Sequence, residues 1–162
     1  MNISLTEVSS DDKGELYKLS TSSDENKPLY INLLNISPMF SPDKIYGVYY
    51  IKWNIRGVSV DLIEKIEYNL QNIFEGYSLV SNIQNRPKYP LLLNTKYKYK
   101  KSGESIITDS IDNISDYIVV NSKEDKYNIT LSVNNIYLDK KTKTIKYPLD
   151  IRKISKSRVI NT

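Results

Sequence analysis

The stretch YPLLLNTKYKYKK (residues 89–101) turns from an apolar run into alternating lysine and tyrosine. Successive side chains of a β-strand point to opposite faces, so the tyrosines of this stretch would share one face and its lysines the other. Residues 86–101 hold six basic residues and no acidic one. Rings beside cations suit a polyanion whose bases stack on aromatic side chains. The alternative is a half-buried edge strand whose lysines discourage aggregation.

A second aromatic strand is predicted at YGVYYIKW (residues 46–53), which is dense in aromatic and β-branched residues. Alternation separates Tyr50 and Lys52 from Tyr49 and Trp53. One of these faces must belong to the core, while the other would present rings beside a lysine, as single-strand binders do. The alternative is a strand buried on both faces, with its tyrosine hydroxyls hydrogen-bonded.

Only one segment has helical periodicity. Asp61 and Glu64 form an N-terminal capping pattern, apolar residues recur at spacings of three and four as far as Tyr77, and Gly76 fits a C-cap. The rest of the chain predicts about eight short strands separated by turns, including late hairpins at 117–133 and 136–149. This pattern favours a mainly β fold, an OB-like antiparallel barrel with added hairpins. The alternative is a β-sandwich or jelly roll.

Length and composition narrow the functional classes. The 162 residues predict a single globular domain over 1–155, followed by a basic, frayed tail over 156–162. The chain has no cysteine and no histidine, which removes thiolate metal sites, the commonest metal ligand and the commonest general base. We therefore expect no cofactor, no metal and no catalysis. No window approaches the roughly 20 apolar residues of a membrane span, so we expect an intracellular protein without membrane contact.

Charge is segregated along the chain. Residues 1–25 carry six acidic residues and two lysines, whereas residues 140–162 carry eight basic residues against Asp150 alone. Together with the basic run at 86–101, these segments could be gathered by folding into one cationic face, which is the usual footprint of a nucleic-acid binder.

The order of features resembles an uncharacterised family of proteins from nucleocytoplasmic large DNA viruses, itself similar to viral OB-fold single-stranded DNA-binding proteins. The resemblance rests on a proline-flanked loop (Leu29 to Pro42), a helix followed by the strand Tyr89-Pro90-Leu91, and a late hairpin with a basic terminal strand (Ile136-Tyr137 and Ile145 to Lys153). It implies an OB fold and binding of single-stranded DNA during viral replication or repair, in the cytoplasmic virus factory or the nucleus of the host.

The first expected function is therefore non-catalytic binding of single-stranded nucleic acid, DNA rather than RNA, through a basic groove and stacked tyrosines. The expected nucleic-acid-binding residues are Arg86, Lys88, Lys96, Tyr97, Lys98, Tyr99, Lys100, Lys101, Tyr49, Tyr50, Lys52, Trp53, Lys140, Lys141, Lys143 and Lys146. The alternative is a structural or assembly module, such as a minor virion protein, that uses an edge strand or an aromatic patch and binds no nucleic acid. Self-association is a further expectation.

Overall fold

A computed structural model describes residues 3–21, 29–98, 114–120 and 125–157 of the chain. Most of its elements are strands, which confirms the predicted mainly β class. The strands are β1 (Ile3–Ser10), β2 (Gly14–Thr21), β3 (Leu29–Pro38), β4 (Asp43–Ile45), β5 (Val48–Asn54), β6 (Ser78–Leu79), β7 (Ile83–Gln84), β8 (Leu92–Tyr97), β9 (Lys126–Val133), β10 (Asn135–Asp139), β11 (Thr144–Lys146) and β12 (Asp150–Ser157). The helices are α1 (Asp61–Ile73) and α2 (Ile114–Tyr117).

The chain divides into two compact units. The barrel unit comprises Ile31–Ser59, Ile83–Leu131 and Leu149–Thr162. The sheet–helix unit comprises Met1–Tyr30, Val60–Asn82 and Ser132–Pro148. Each unit takes three separate segments of the chain. No linker or shift in composition marks a boundary between them, so sequence patterns did not reveal the division.

The barrel unit closes a five-stranded β-barrel. Its strands neighbour one another in the order β5-β3-β9-β12-β8, and pairing of β5 with β8 completes the ring. The β5–β8 pairing is antiparallel and runs from Tyr49 opposite Tyr97 to Asn54 opposite Leu92, while β8 and β12 run parallel. A closed five-stranded barrel of this kind is the OB architecture, so the predicted OB-like barrel is confirmed. Counted along the chain, the five barrel strands are β3, β5, β8, β9 and β12, so β5 and β8 are the second and third strands of the barrel.

Alternation of side chains fills this barrel. Every second residue of β5, from Tyr49 to Trp53, is buried, and so is every second residue of β8 from Leu93 to Tyr97. The indole Nε1 of Trp53 donates to Thr95 Oγ1 at 3.0 Å, and Thr95 Oγ1 donates to the carbonyl of Ile51 at 2.9 Å. The polar atoms of the core are thus paired across β5 and β8, as burial of a polar group requires.

The sheet–helix unit contains a second sheet, with the strand order β1-β2-β10-β11-β6. Helix α1 buries Ile63, Ile66 and Leu70, which lie on one face at the predicted spacing. Strand β2 begins at Gly14, where an added Cβ atom would lie 2.3 Å from the carbonyl oxygen of Leu138. Glycine is needed there because β10 approaches the backbone too closely for any side chain.

A polar cluster joins α1 to the chain after β11. The Glu67 carboxylate accepts hydrogen bonds from the hydroxyl of the buried Tyr147 and from Ser81 Oγ, the latter at 2.7 and 2.8 Å. Asn82 Nδ2 donates to the carbonyl of Tyr147 at 2.6 Å. Burial raises the pKa of Tyr147 above its ordinary value, and the hydrogen bond to Glu67 raises this pKa further.

Three local predictions differ from the structure. Helix α1 is capped by Val60 without a side-chain bond, so Asp61 lies in the first turn, where it favours the helix dipole but does not act as an N-cap. Residues 114–117 form α2 and residues 118–120 are not a strand, so the predicted first hairpin arm at 117–120 does not form. Ile114 and Ile118 are both buried, and their separation of four residues is helical rather than alternating. Strand β12 continues through Lys156 to Ser157, into the predicted tail.

The described part of the chain has no helix long and apolar enough to cross a membrane.

We expect Thr95→Val to lower the free energy of unfolding by about 1–3 kcal/mol, because the substitution leaves the buried indole N–H of Trp53 without an acceptor. Thr95→Ser keeps the hydroxyl and should lose less. Urea unfolding followed by Trp53 fluorescence measures both variants. Equal stability of Thr95→Val and wild type would show that the Trp53–Thr95 bond does not hold β5 to β8.

Tyr147 should make the protein sensitive to alkali. Its pKa is raised in the folded state, so its contribution to stability is complete below the unfolded pKa of about 10 and declines as the pH rises above it, by up to about 1.4 kcal/mol per pH unit. Urea unfolding between about pH 8 and pH 11 should therefore show a shallower alkaline loss for Tyr147→Phe than for wild type. Tyr68→Phe removes an exposed hydroxyl of α1 and serves as the matched control. Identical alkaline slopes for Tyr147→Phe and the control would contradict this account.

Candidate nucleic-acid interface

The outward side chains of the two strands that close the barrel form the β5–β8 face, which we define as Tyr50, Lys52, Asn94 and Lys96. The register places Tyr50 opposite Lys96 and Lys52 opposite Asn94. All four side chains are half-buried. The Lys96 ammonium lies 5.6 Å from the centroid of the Tyr50 ring, within the range of a cation–π contact. The face therefore presents two ammonium groups beside one ring.

This face arises from the alternation that fills the core. Because Ile51 and Thr95 point inward, their neighbours on each strand must point outward. A lysine on such a surface lays its aliphatic stem along the sheet while its ammonium reaches water. Asn94 Oδ1 is buried and has no hydrogen-bond partner among the described residues. Two acidic residues border the face, since Asp43 of β4 pairs with Tyr50 and Asp150 of β12 pairs with Lys96.

A cationic turn lies between β7 and β8 in the same unit. The backbone N–H of Tyr89 donates to the carbonyl of Arg86 at 3.2 Å, and Lys88 has a φ of +73°. Glycine or asparagine normally fills such a position in a turn. Arg86 and Lys88 are exposed. The exposed Tyr89 ring meets Phe40 edge to face at a centroid distance of 5.5 Å, so this turn contacts the loop that follows β3.

The hairpin between β4 and β5 presents the most exposed aromatic side chain among the described residues. Its turn consists of Tyr46 and Gly47, with φ values of +49° and +79°, and Tyr46 is fully exposed. Two-residue hairpin turns with positive φ favour Asn-Gly or Asp-Gly, so an aromatic residue at the first position is unusual. Tyr46 and Tyr89 were not among the expected site residues. The signal that could have found Tyr46 is a bulky residue directly before glycine, between two predicted strands.

Charge divides between the two units. The described residues of the barrel unit hold eleven Lys and Arg against four Asp and Glu, a net charge of +7. Those of the sheet–helix unit hold seven against nine, a net charge of −2. The cationic charge of the protein is thus concentrated in the unit that contains the β5–β8 face, where a polyanion would be attracted most strongly.

Three rings that the sequence predicted as stacking platforms lie in the core instead. These residues are Tyr49, Trp53 and Tyr97. The Trp53 ring packs against Tyr127 at a centroid distance of 5.8 Å, and burial raises the pKa of Tyr127. The expectation that the three rings are exposed is wrong because closing the barrel turns their side of β5 and β8 inward. Of the four predicted rings that the structure describes, Tyr50 is the one that lies on the outward side.

The predicted cations divide between the units. Lys52 and Lys96 lie on the β5–β8 face, Lys98 is exposed directly after β8, and Arg86 and Lys88 are exposed in the turn before it. Lys140, Lys141, Lys143 and Lys146 belong instead to the sheet–helix unit. Tyr99, Lys100 and Lys101 lie outside the described residues.

The lysine-rich turn after β10 is occupied by contacts within its own unit. Lys140 Nζ donates to the carbonyl of Asp11 at 2.7 Å and lies 3.7 Å from Glu15. Lys143 Nζ lies 5.1 Å from the ring centroid of Tyr77. Asp139 accepts backbone hydrogen bonds from the turn, which lower its pKa. Lys140 and Lys143 are thus engaged within their own unit, while Lys141 and Lys146 are exposed.

No group of three or more potential protein ligands that could hold a metal ion is found within the described ranges. Comparison with protein-family models, with curated proteins and with solved structures finds no match for this chain. The site must therefore be interpreted from its own geometry and charge.

The burial of Trp53 can be tested by its fluorescence. Its emission should be blue-shifted relative to tryptophan in water and only weakly quenched by acrylamide in the folded protein, and both properties should change on unfolding in urea. Strong acrylamide quenching under native conditions would place the ring at the surface and would restore Trp53 as a stacking platform.

Proposed function

We propose that the chain binds single-stranded nucleic acid, DNA rather than RNA, without catalysis, through the β5–β8 face of its barrel. Its resemblance to an uncharacterised family of proteins from nucleocytoplasmic large DNA viruses, itself similar to viral OB-fold single-stranded DNA-binding proteins, suggests a role in replication or repair of a viral genome. The observation that carries the proposal is the concentration of positive charge in an OB-like barrel whose second and third strands display Lys52 and Lys96.

The fold narrows the choice of ligand. OB barrels bind oligonucleotides or oligosaccharides on the face of their second and third strands and in the adjoining loops. A neutral oligosaccharide gains nothing from a unit with a net charge of +7. A phosphate backbone does, because each neutralised phosphate releases condensed counterions. Charge therefore favours the nucleic acid.

Aromatic side chains around the face would stack on the bases, in addition to the lysines that neutralise phosphates. Tyr50 is half-buried within the face, while Tyr46 and Tyr89 are exposed in the turns of the same unit. Base–aromatic stacking contributes about 1–3 kcal/mol per base and tolerates any base. Binding should therefore depend weakly on sequence and strongly on salt.

The test is a titration of fluorescently labelled oligothymidylate of about 15 nucleotides, followed by anisotropy at several salt concentrations between about 50 and 200 mM. Lys52→Ala/Lys96→Ala should weaken binding and reduce the slope of log K against log salt by about 1.4, since each lost phosphate contact on a single strand contributes about 0.7.

The matched control is Lys13→Ala/Lys65→Ala, which removes the same charge from exposed positions of the sheet–helix unit. It should leave the slope close to that of wild type. Absence of wild-type binding at about 50 mM salt would reject the proposed function. Equal losses in the two double variants would reject the β5–β8 face as its site.

A structural or assembly module remains the second candidate. The observation that favours it is the long exposed edge strand β1, which offers backbone groups to another protein strand.

A further inference from the structure

Among the residues that the structure describes, strand β1 is an edge of the second sheet, and its backbone is paired on one side only, with β2. It is eight residues long, and its residues from Thr6 to Ser10 are all exposed. The other edges among the described strands are shorter. Strands β6 and β7 have two residues each, and β4 has three, of which Asp43 and Lys44 are charged.

The usual protection of an edge strand is missing from most of β1. Natural proteins protect edges with lysine, proline, bulges or very short strands, since unpaired backbone N–H and C=O groups recruit another strand. β1 has no lysine, arginine or proline. Its single irregularity lies between Glu7 and Ser9, while Ile3 to Glu7 pair with β2 in unbroken register. These five residues form a regular, unprotected edge.

We propose that this edge pairs with the same edge of a second copy of the chain, antiparallel and about a two-fold axis at Leu5. Leu5 is the midpoint of the regular stretch Ile3–Glu7, so every residue of the stretch then has a partner. Isologous pairing of this kind forms closed dimers and would join the two sheets into one.

The central side chains of this stretch complement a copy of themselves. Leu5 meets Leu5 of the second copy, Ser4 meets Thr6, and Ile3 meets Glu7. Apolar pairs and Ser–Thr pairs are favourable across strands, whereas like charges directly opposite are not. Glu7 is the only charged residue of β1, and this register keeps it away from its own copy. A register centred on Glu7 would oppose two carboxylates.

The pairing of Ile3 with Glu7 allows a test with matched variants. Ile3→Lys and Ile3→Glu lose the same apolar side chain but place opposite charges against Glu7 of the second copy. We expect the dimer dissociation constant, measured by analytical ultracentrifugation, to be about tenfold or more higher for Ile3→Glu than for Ile3→Lys, because each dimer contains the pair twice. The net charge of +4 would by itself produce the opposite order, since Ile3→Lys adds to it.

A second substitution provides the rescue. Ile3→Glu/Glu7→Lys exchanges the charges of the pair and should restore the dimer. Asn72→Lys and Asn72→Glu, at an exposed position of α1, are the controls and should differ only by the small effect of net charge, with Asn72→Lys the weaker dimer. Circular dichroism establishes that each variant is folded.

Wild type should show a concentration-dependent monomer–dimer equilibrium in the micromolar to millimolar range. A wild-type protein that stays monomeric throughout this range would overturn the proposal. Equal dimerisation of Ile3→Lys and Ile3→Glu, or failure of the Glu7→Lys rescue, would also overturn it. The measurement uses no nucleic acid, so its outcome is separate from that of the oligonucleotide titration.

Discussion

Pairing of β5 with β8 is the constraint on which the rest of the barrel depends. It closes the ring, and its register decides which side of each strand becomes core. Inside, the Trp53–Thr95–Ile51 hydrogen bonds satisfy the polar atoms that closure buries. Outside, the same register places Lys52 and Lys96 on one surface with Tyr50. The hydrophobic core and the proposed binding face are thus two consequences of one strand pairing.

The sequence predicted the class of fold well because period-two alternation is a local property. The aromatic strand at β5, the helix at α1 and the hairpin of β10 and β11 all follow from nearby residues. Alternation also divided β5 and β8 correctly into two faces. Alternation could not identify the inward face, because tyrosine, tryptophan and the aliphatic part of lysine can lie either in a core or at a surface. That choice depends on barrel closure between strands whose bonded residues lie 42 and 44 positions apart in the sequence. Trp53 and Tyr97 were therefore assigned to the ligand instead of the core.

The division into two units could not be predicted for a related reason. Each unit is assembled from three stretches of chain, and compositional boundaries exist only where one domain follows another. This division changes how the charged segments are distributed. Basic segments that looked equivalent in the sequence belong to units of opposite net charge, and Lys140 is bonded within the less basic one. The two units also have separate proposed roles, since the barrel carries the cationic face and the other sheet carries the unprotected edge of β1.

The proposed function requires that a polyanion binds the outward side of β5 and β8. An NMR titration of the 15N-labelled protein with a short oligothymidylate tests it most directly, because backbone amide shifts report the contact residue by residue. The account predicts that the largest shifts fall on β5, β8 and the turns at Tyr46 and Lys88, while the turn from Lys140 to Lys143 is unchanged. Shifts centred on that lysine-rich turn, or no shifts at low salt, would contradict it.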